Sequence, residues 1–173
     1  MNFAFIGARG AGKSRLSRKF AKRIDQLYLS TDTLLSYEAG GMSIRQIVEK
    51  DGWQGLREQE YHLLQKLVTM ESIVIDCGGG IIVDLDEAGN EIFSKRKTDL
   101  LKHNCRVVYL RRDLKWLLSR GSESSHRPQL SHNYEAVIEK RLPWYEQVAD
   151  YTLDLTGRDV TDGIEELVTM FKL

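Results

Sequence analysis

Short apolar runs alternate along this chain with longer stretches in which apolar residues recur at helical spacing. Five of the apolar runs read as β-strands, at residues 2–7, 27–30, 72–77, 105–110 and 151–155. The first, third and fourth are almost continuously apolar, which is typical of strands covered by helices on both faces. The alternation predicts an α/β fold in which helices connect the strands of a parallel sheet.

The stretches between the strands carry the helices. The pattern predicts them at residues 12–25, 43–50, 54–70, 114–120, 133–148 and 160–172. Ser43 followed by Gln46 is typical of a capping box at a helix start. The chain has 173 residues and two prolines, and no segment reads as a linker. A single domain over residues 1–173 is therefore predicted.

Two segments do not fit this alternation. Residues 83–101 hold the turn-like run "EAGNE" between short apolar pairs, which predicts a small hairpin or an extended excursion. Residues 121–133, "GSESSHRPQLSHN", are polar and follow a predicted helix. That composition favours a mobile surface loop.

Composition narrows the possible partners. Lysine plus arginine balances aspartate plus glutamate at 25 each, so no overall field draws the protein to nucleic acid or to a membrane. Cys77 and Cys105 lie far apart and outside any C-x-x-C pattern, which favours reduced core thiols over a disulfide or a zinc site. No apolar run approaches the roughly 20 residues of a membrane helix, and the first strand leaves no room for a signal peptide. We expect a cytoplasmic protein.

A glycine-rich loop follows the first predicted strand. The run "GARGAGKS" over residues 7–14 matches G-x-x-x-x-G-K-[ST] and opens an amphipathic helix. In such a loop successive backbone N–H groups surround the β-phosphate, Lys13 bridges the β- and γ-oxygens, and the Ser14 hydroxyl is placed to bind Mg²⁺. The N-terminal dipole of the helix adds to the attraction. The loop predicts binding of a nucleoside triphosphate.

The rest of the chain narrows the class of nucleotide-binding protein. A GTPase is expected to carry a guanine-reading N-K-x-D motif, and the sequence has none. A motor or a large ATPase usually needs a longer chain. The small size therefore favours a kinase of a small metabolite or nucleotide, which must hold its acceptor beside the γ-phosphate.

Polar residues and glycines after the strand ends are candidates for that acceptor site. Asp32 follows the second predicted strand, and Gly78, Gly79 and Gly80 follow the third. Ligands of open α/β sheets bind at this edge, and glycines there allow a ligand to touch backbone. Arg57 and Arg141 are candidate carboxylate readers, because a guanidinium fork matches a carboxylate in a bidentate way. A carboxylate such as Asp32 suits removal of a hydroxyl proton.

The order and spacing of these motifs resemble those of the shikimate kinase family. The resemblance rests on "GARGAGKS", "STDTLL", "GGMSIRQIVEKDGWQGLREQE", "DCGGG", "HRPQL" and "KRLPWYEQVADYTLDL", and it covers almost the whole chain apart from about residues 84–100. It implies a three-layer P-loop kinase fold in which helices flank a five-stranded parallel sheet. It also implies an acceptor-binding region at about residues 31–62 and a mobile lid at about residues 119–133.

The resemblance implies roles for individual residues. The implied catalytic residues are Lys13, Asp32, which binds the acceptor hydroxyls and is a candidate to take the proton, and Arg127, which reaches the transferring phosphate from the lid. The implied ATP-binding residues are Gly10, Ala11, Gly12, Lys13, Ser14, Arg15, Arg120, Arg127 and Arg158. The implied acceptor-binding residues are Asp32, Arg57, Gly78, Gly79, Gly80 and Arg141, with the two arginines on the shikimate carboxylate.

The sequence departs from the family pattern at the metal site and in the acceptor pocket. Ser30 stands where the family usually has an aspartate that helps to hold the waters of Mg²⁺. Our hypothesis is that Asp76, at the end of the third strand, orders that water shell together with Ser14; the alternative is that Asp76 only caps the strand. The pocket differs at Val48, Trp53, Leu56 and Gln129.

The expected activity is ATP-dependent phosphorylation of the 3-hydroxyl of shikimate, a step towards aromatic amino acids, by a monomeric kinase that uses Mg²⁺. The altered pocket leaves open a kinase of another small hydroxy acid, such as gluconate. Because Ser30 stands in place of the usual aspartate, a kinase-like binding protein with an impaired metal site is a further alternative.

Overall fold

A computed structural model describes residues 1–121 and 134–173. Its centre is a parallel sheet made of β1 (Asn2–Ile6), β2 (Leu27–Ser30), β3 (Ile73–Asp76), β6 (Cys105–Arg111) and β7 (Tyr151–Asp154). The strand order in the sheet is β2-β3-β1-β6-β7. All five strands predicted from the sequence are present, so the predicted fold class is confirmed.

Seven helices cover the sheet within the part of the chain that the structure describes. They are α1 (Lys13–Arg23), α2 (Thr31–Glu38), α3 (Ile44–Leu67), α4 (Lys95–Asn104), α5 (Leu114–Gly121), α6 (Tyr134–Val148) and α7 (Val160–Phe171). The predicted helices are all found within a few residues of their expected bounds. The pattern missed α2, a short helix that starts directly after a strand. It also missed α4, whose buried face includes the polar residues Lys97 and Thr98.

The long helix α3 was predicted as two helices, and its backbone explains why. Gly52 has φ 71° and ψ 174°, which breaks the helical geometry and kinks the element. A left-handed φ of this kind is favourable for glycine and costly for other residues. At the start of α3 the predicted capping box is present, since Ser43 and Gln46 exchange their side-chain and backbone hydrogen bonds.

The core lies on both faces of the sheet. Phe3 and Phe5 of β1 both contact Phe20 of α1 with edge-to-face rings, a geometry that aromatic pairs prefer. Cys77 and Cys105 are buried free thiols, as predicted. Burial raises the pKa of the Cys105 thiol to about 12, which keeps it protonated and unreactive at neutral pH. No helix within residues 1–121 and 134–173 has both the length and the apolar character that crossing a membrane requires.

The segment after the glycine triplet forms a hairpin, one of the two forms expected from its sequence. The antiparallel strands β4 (Val83–Leu85) and β5 (Glu91–Phe93) make it up. The Asp86 carboxylate accepts hydrogen bonds from the N–H groups of Ala88 and Asn90 and so closes the turn. The predicted surface loop and most of the predicted lid, including Arg127 and Gln129, lie outside the described residues.

Candidate active site

The glycine-rich loop connects β1 to α1 and leads to the mouth of a cavity. Gly12 is the N-cap of α1 and has φ 97°, which turns the chain into the helix. The Lys13 ammonium is mostly buried and donates to the carbonyls of Gly7 and Ala8 at 2.9 and 3.0 Å. The loop ends at the positive N-terminus of α1, and a loop in this position suits phosphate binding.

The cavity at this loop has a volume of about 1100 Å³ including its open mouth. Six of the predicted ATP-binding residues line it, namely Gly10, Gly12, Lys13, Ser14, Arg15 and Arg120. Ala11 is buried behind it, and the Ala11 carbonyl accepts from the guanidinium of Arg112 at 3.4 Å. We call this cavity the donor cavity. The structure thus brings together most of the nucleotide-binding residues expected from the sequence.

The family resemblance implies that Arg120 and Arg158 flank the adenine of ATP, and the two arginines lie in different surroundings. The guanidinium carbon of Arg120 lies 5.0 Å from the ring centre of Trp116, and the Trp116 indole N–H donates to the Gly10 carbonyl at 3.2 Å. Arg158 does not line the donor cavity but pairs with Glu166 at 2.6 Å, and this hydrogen bond raises the pKa of Arg158. Arg120 is thus held beside the loop, while Arg158 is held by its own acidic partner.

A second cavity, of about 480 Å³, adjoins the first, and we call it the acceptor cavity. Its lining includes every acceptor-binding residue predicted from the sequence: Asp32, Arg57, Gly78, Gly79, Gly80 and Arg141. These residues come from α2, α3, the turn after β3, and α6. Asp32, Gly78 and Gly79 line the donor cavity as well. The carboxylate of Asp32 therefore lies at the junction of the two cavities.

The glycine triplet allows the side chains of Asp32 and Arg57 to lie close to the turn after β3. A Cβ atom on Gly78 would lie 2.4 Å from Oδ1 of Asp32, and one on Gly80 would lie 2.3 Å from Nη1 of Arg57. Both distances are shorter than any real contact of a Cβ atom, so any side chain at Gly78 or Gly80 would displace a predicted acceptor-binding residue. Glycine is therefore needed at positions 78 and 80 for this close approach.

Arg57 is only 2% exposed and has one acidic partner. Its Nη1 donates to Oε1 of Glu60 at 2.8 Å, and its guanidinium carbon lies 5.3 Å from the ring centre of Trp53. Among the described residues, its buried Nε has no hydrogen-bond partner. A buried, unsatisfied donor is costly unless a ligand supplies the acceptor. Trp53 and Leu56, two of the positions at which the sequence departs from the family pattern, both line the acceptor cavity.

Arg141 is 4% exposed and is held on two sides. Its Nε donates to Oε2 of Glu91 at 2.9 Å, and its Nη2 donates to the other oxygen of the same carboxylate. Its Nη1 donates to the Gly79 carbonyl at 3.3 Å, and the Tyr145 hydroxyl donates to that carbonyl too. Burial opposes the charge of Arg141, but hydrogen bonds and charge interactions with Glu91 and Tyr145 outweigh it and raise the pKa of Arg141.

Ser30 and Asp76 are side by side in the pairing of β2 with β3. Ser30 accepts from the Thr33 N–H at 3.4 Å as the N-cap of α2. Asp76 is 5% exposed, and Oδ2 of its carboxylate accepts from the Tyr28 hydroxyl at 2.9 Å. Burial and the charge of Asp76 together raise the pKa of Tyr28.

The oxygen atoms at this end of the donor cavity fit a hard cation. Ser14, Ser30 and Asp76 all line the cavity, and hydroxyl and carboxylate oxygens are the donors that Mg²⁺ accepts. Within the described residues no group of three His, Cys, Asp or Glu side chains forms a metal cluster. That result is expected for Mg²⁺, which usually keeps several waters and takes one or two protein carboxylates together with substrate phosphates.

Several residues of the site were not predicted from the sequence. Arg9 lines both cavities from within the glycine-rich loop, where its position in the motif was a usable signal. Tyr28, Glu60 and Glu91 contact Asp76, Arg57 and Arg141 in turn, and the Tyr28 and Glu91 contacts join residues far apart in the sequence. Only Glu60 had a local signal, since it follows Arg57 by one helical turn.

Comparisons with known proteins agree with this arrangement. The family model described as shikimate kinase matches residues 9–172. A shikimate kinase of Leptospira biflexa is 45% identical over 170 residues, which cover 97% of this chain and 94% of the relative. A shikimate kinase of Leptospira borgpetersenii is 42% identical, covering 93% of this chain and 92% of the relative.

Solved structures show the same likeness. A shikimate kinase from Acinetobacter baumannii in complex with shikimate superimposes with a TM-score of 0.85 at 26% identity, covering 98% of this chain and 92% of that one. The shikimate kinase of Aquifex aeolicus has a TM-score of 0.83 at 22% identity, covering 99% of this chain and 96% of that one, and shows the shared fold.

Proposed function

The chain belongs to the shikimate kinase family, and we propose that it transfers the γ-phosphoryl group of ATP to the 3-hydroxyl of shikimate. One observation carries this proposal: Asp32 and the backbone of Gly78 and Gly79 line both the donor cavity and the acceptor cavity. A hydroxyl held by Asp32 would therefore lie next to the phosphates held by the glycine-rich loop. Phosphoryl transfer depends mostly on such positioning.

The acceptor cavity suits a compact hydroxylated carboxylate. Arg57 and Arg141 line it with buried guanidinium groups, and Arg57 keeps an unsatisfied Nε. A ligand carboxylate in this cavity would form charge-assisted hydrogen bonds with the buried guanidinium groups. We assign the two arginines to the shikimate carboxylate and Asp32 to its hydroxyls, with Asp32 also taking the proton of the attacking one.

On the donor side, Lys13 and the N-terminus of α1 meet the phosphates, and Arg120 is assigned to the nucleotide. Mg²⁺ bound to ATP would neutralise charge on the phosphate oxygens, and Ser14 and Asp76 are the residues we propose to hold it, Asp76 through water. The assignments of Arg127 to the transferring phosphate and of Arg158 to the adenine stay predictions. So does a monomeric state, which is consistent with a site built from one chain.

An assay of ADP release with three acceptor conditions tests the proposal. Shikimate, gluconate and no added acceptor are compared at the same concentrations of ATP and Mg²⁺. We expect ADP release that depends on shikimate, with shikimate 3-phosphate as the product detected by mass spectrometry. Release that depends on gluconate instead, or that is independent of any acceptor, would contradict the proposal.

A further inference from the structure

The hairpin of β4 and β5 contacts the acceptor site at Arg141, although the family motifs do not cover this segment. We propose that Glu91, on β5, is a positioning residue that fixes the guanidinium of Arg141 for the acceptor carboxylate. This inference rests on the function proposed above. It assigns a role to residues 83–97, for which the sequence alone indicated no function.

The way in which Glu91 binds Arg141 leaves a donor for a ligand. A guanidinium has five N–H groups. Glu91 takes the edge formed by Nε and Nη2, and the Gly79 carbonyl takes one N–H of Nη1. The Tyr145 hydroxyl is a further hydrogen-bond partner of the guanidinium. One of the five N–H groups then remains for a ligand in the acceptor cavity, which Arg141 lines. The carboxylate of Glu91 therefore holds the side edge of the fork without using all of its donors.

Both the backbone and the side chain of Glu91 contact α6. Its carbonyl accepts from the ammonium of Lys140, the neighbour of Arg141 in α6, at 2.6 Å. The hairpin and α6 are thus joined by both the backbone and the side chain of one residue. Such a double attachment limits rotation of the Glu91 side chain, which in turn limits the orientations open to Arg141.

The same segment also supports the other acceptor arginine. Lys97, at the start of α4, is fully buried and donates to Oε2 of Glu60 at 2.8 Å and to the Val83 carbonyl. Glu60 uses its other oxygen to bind Arg57. The chain of contacts from Lys97 through Glu60 to Arg57 parallels the direct contact of Glu91 with Arg141. Residues 83–97 therefore hold Arg141 directly, through Glu91, and Arg57 indirectly, through Glu60.

Substitutions at Glu91 separate a positioning role from simple charge neutralisation. In Glu91→Gln the carboxylate is lost, and in Glu91→Asp the charge is kept but the carboxylate is withdrawn by one methylene. We expect both to raise KM for shikimate, Glu91→Gln by about tenfold or more, because misplacing a binding group by about 1 Å is costly. KM for ATP should be unchanged. Glu87→Gln is the matched control, since Glu87 is exposed in the turn of the same hairpin.

A second measurement reads the orientation of Arg141 without using activity. In protein labelled with ¹⁵N-arginine, the Nε–H signal of Arg141, assigned by its loss in Arg141→Lys, should exchange slowly with solvent in the wild type and in Glu87→Gln. It should exchange faster in both Glu91 variants. If the wild type failed to phosphorylate shikimate, the proposed function would fail, while this exchange measurement would still decide whether Glu91 fixes Arg141.

Three results would overturn the inference. Unchanged KM for shikimate in both Glu91 variants would leave the contact without a role in binding. A lower KM would make Glu91 a competitor of the acceptor carboxylate. A fall in melting temperature alone, with the Arg141 signal still protected, would reduce Glu91 to a structural residue.

Discussion

Oδ1 of Asp32 lies 2.4 Å from the point that a Cβ atom on Gly78 would occupy. The Asp32 carboxylate can occupy its position only because residue 78 has no side chain. The two residues lie at the junction of the donor and acceptor cavities.

Gly78→Ala should reduce turnover with shikimate by about a hundredfold, since the added methyl group would displace the Asp32 carboxylate. Gly79→Ala should have a smaller effect, because its Cβ would lie 3.4 Å from the nearest atom, the backbone nitrogen of Arg9. The measurement is kcat/KM for shikimate in the two variants, together with the melting temperature of each. Equal losses in both would mean that contact with Asp32 is not the cause.

Arg141→Lys should lower kcat/KM for shikimate roughly ten- to hundredfold, corresponding to the loss of about 1.5–3 kcal/mol from a hydrogen bond to a charged group. A lysine keeps the charge but cannot form the fork that bridges Glu91, Gly79 and a ligand carboxylate. The control is Arg111→Lys, because Arg111 is half exposed and pairs with Asp154 on the surface. The prediction fails if the two substitutions have the same effect.

Asp76→Asn should weaken metal binding in the presence of ADP by roughly tenfold to a hundredfold, the usual effect of removing a group that orders a metal's surroundings. The measurement is Mn²⁺ binding followed by electron paramagnetic resonance, which does not depend on turnover.

Ser30→Asp in the Asp76→Asn background should restore part of that binding. It places a carboxylate beside the original position, and aspartate also serves well as the N-cap of α2. Asp86→Asn, in the hairpin turn, is the control. Unchanged Mn²⁺ affinity in Asp76→Asn would leave Asp76 as a residue that only caps a strand.

The Cys105 thiol should make the protein less stable as the pH rises above 9. Its pKa rises from 9.0 to about 12 in the folded protein because burial disfavours the thiolate. Between these two values the unfolded chain loses the proton and the folded chain keeps it, so unfolding becomes easier with rising pH. This one group contributes at most about 1.4 kcal/mol per pH unit.

The test compares the free energy of unfolding of the wild type and Cys105→Ala between pH 8 and pH 10.5. Other groups titrate in this range, but they are common to both proteins, and the difference between the two isolates Cys105. The wild type should lose more stability than the variant. Parallel curves would show that Cys105 ionises as easily in the folded protein as in the unfolded chain.

The sequence by itself determined the sheet, the glycine-rich loop and the positions of Asp32 and the glycine triplet. Apolar runs marked all five parallel strands because strands covered on both faces are apolar throughout. Asp32 and the glycine triplet follow strand ends, and the ends of parallel strands meet at one edge of a sheet. The positions of these residues could therefore be predicted without coordinates.

Only the tertiary structure decided what holds those residues in place. Glu91 lies 50 positions from Arg141, and Lys97 lies 37 from Glu60. No local period or turn signal links such pairs, since either partner alone resembles an ordinary surface charge. Burial turns them into fixed contacts, because a charge removed from water must find a partner. The partner of each buried charge comes from a distant part of the chain, so the pairing is visible only in the folded structure.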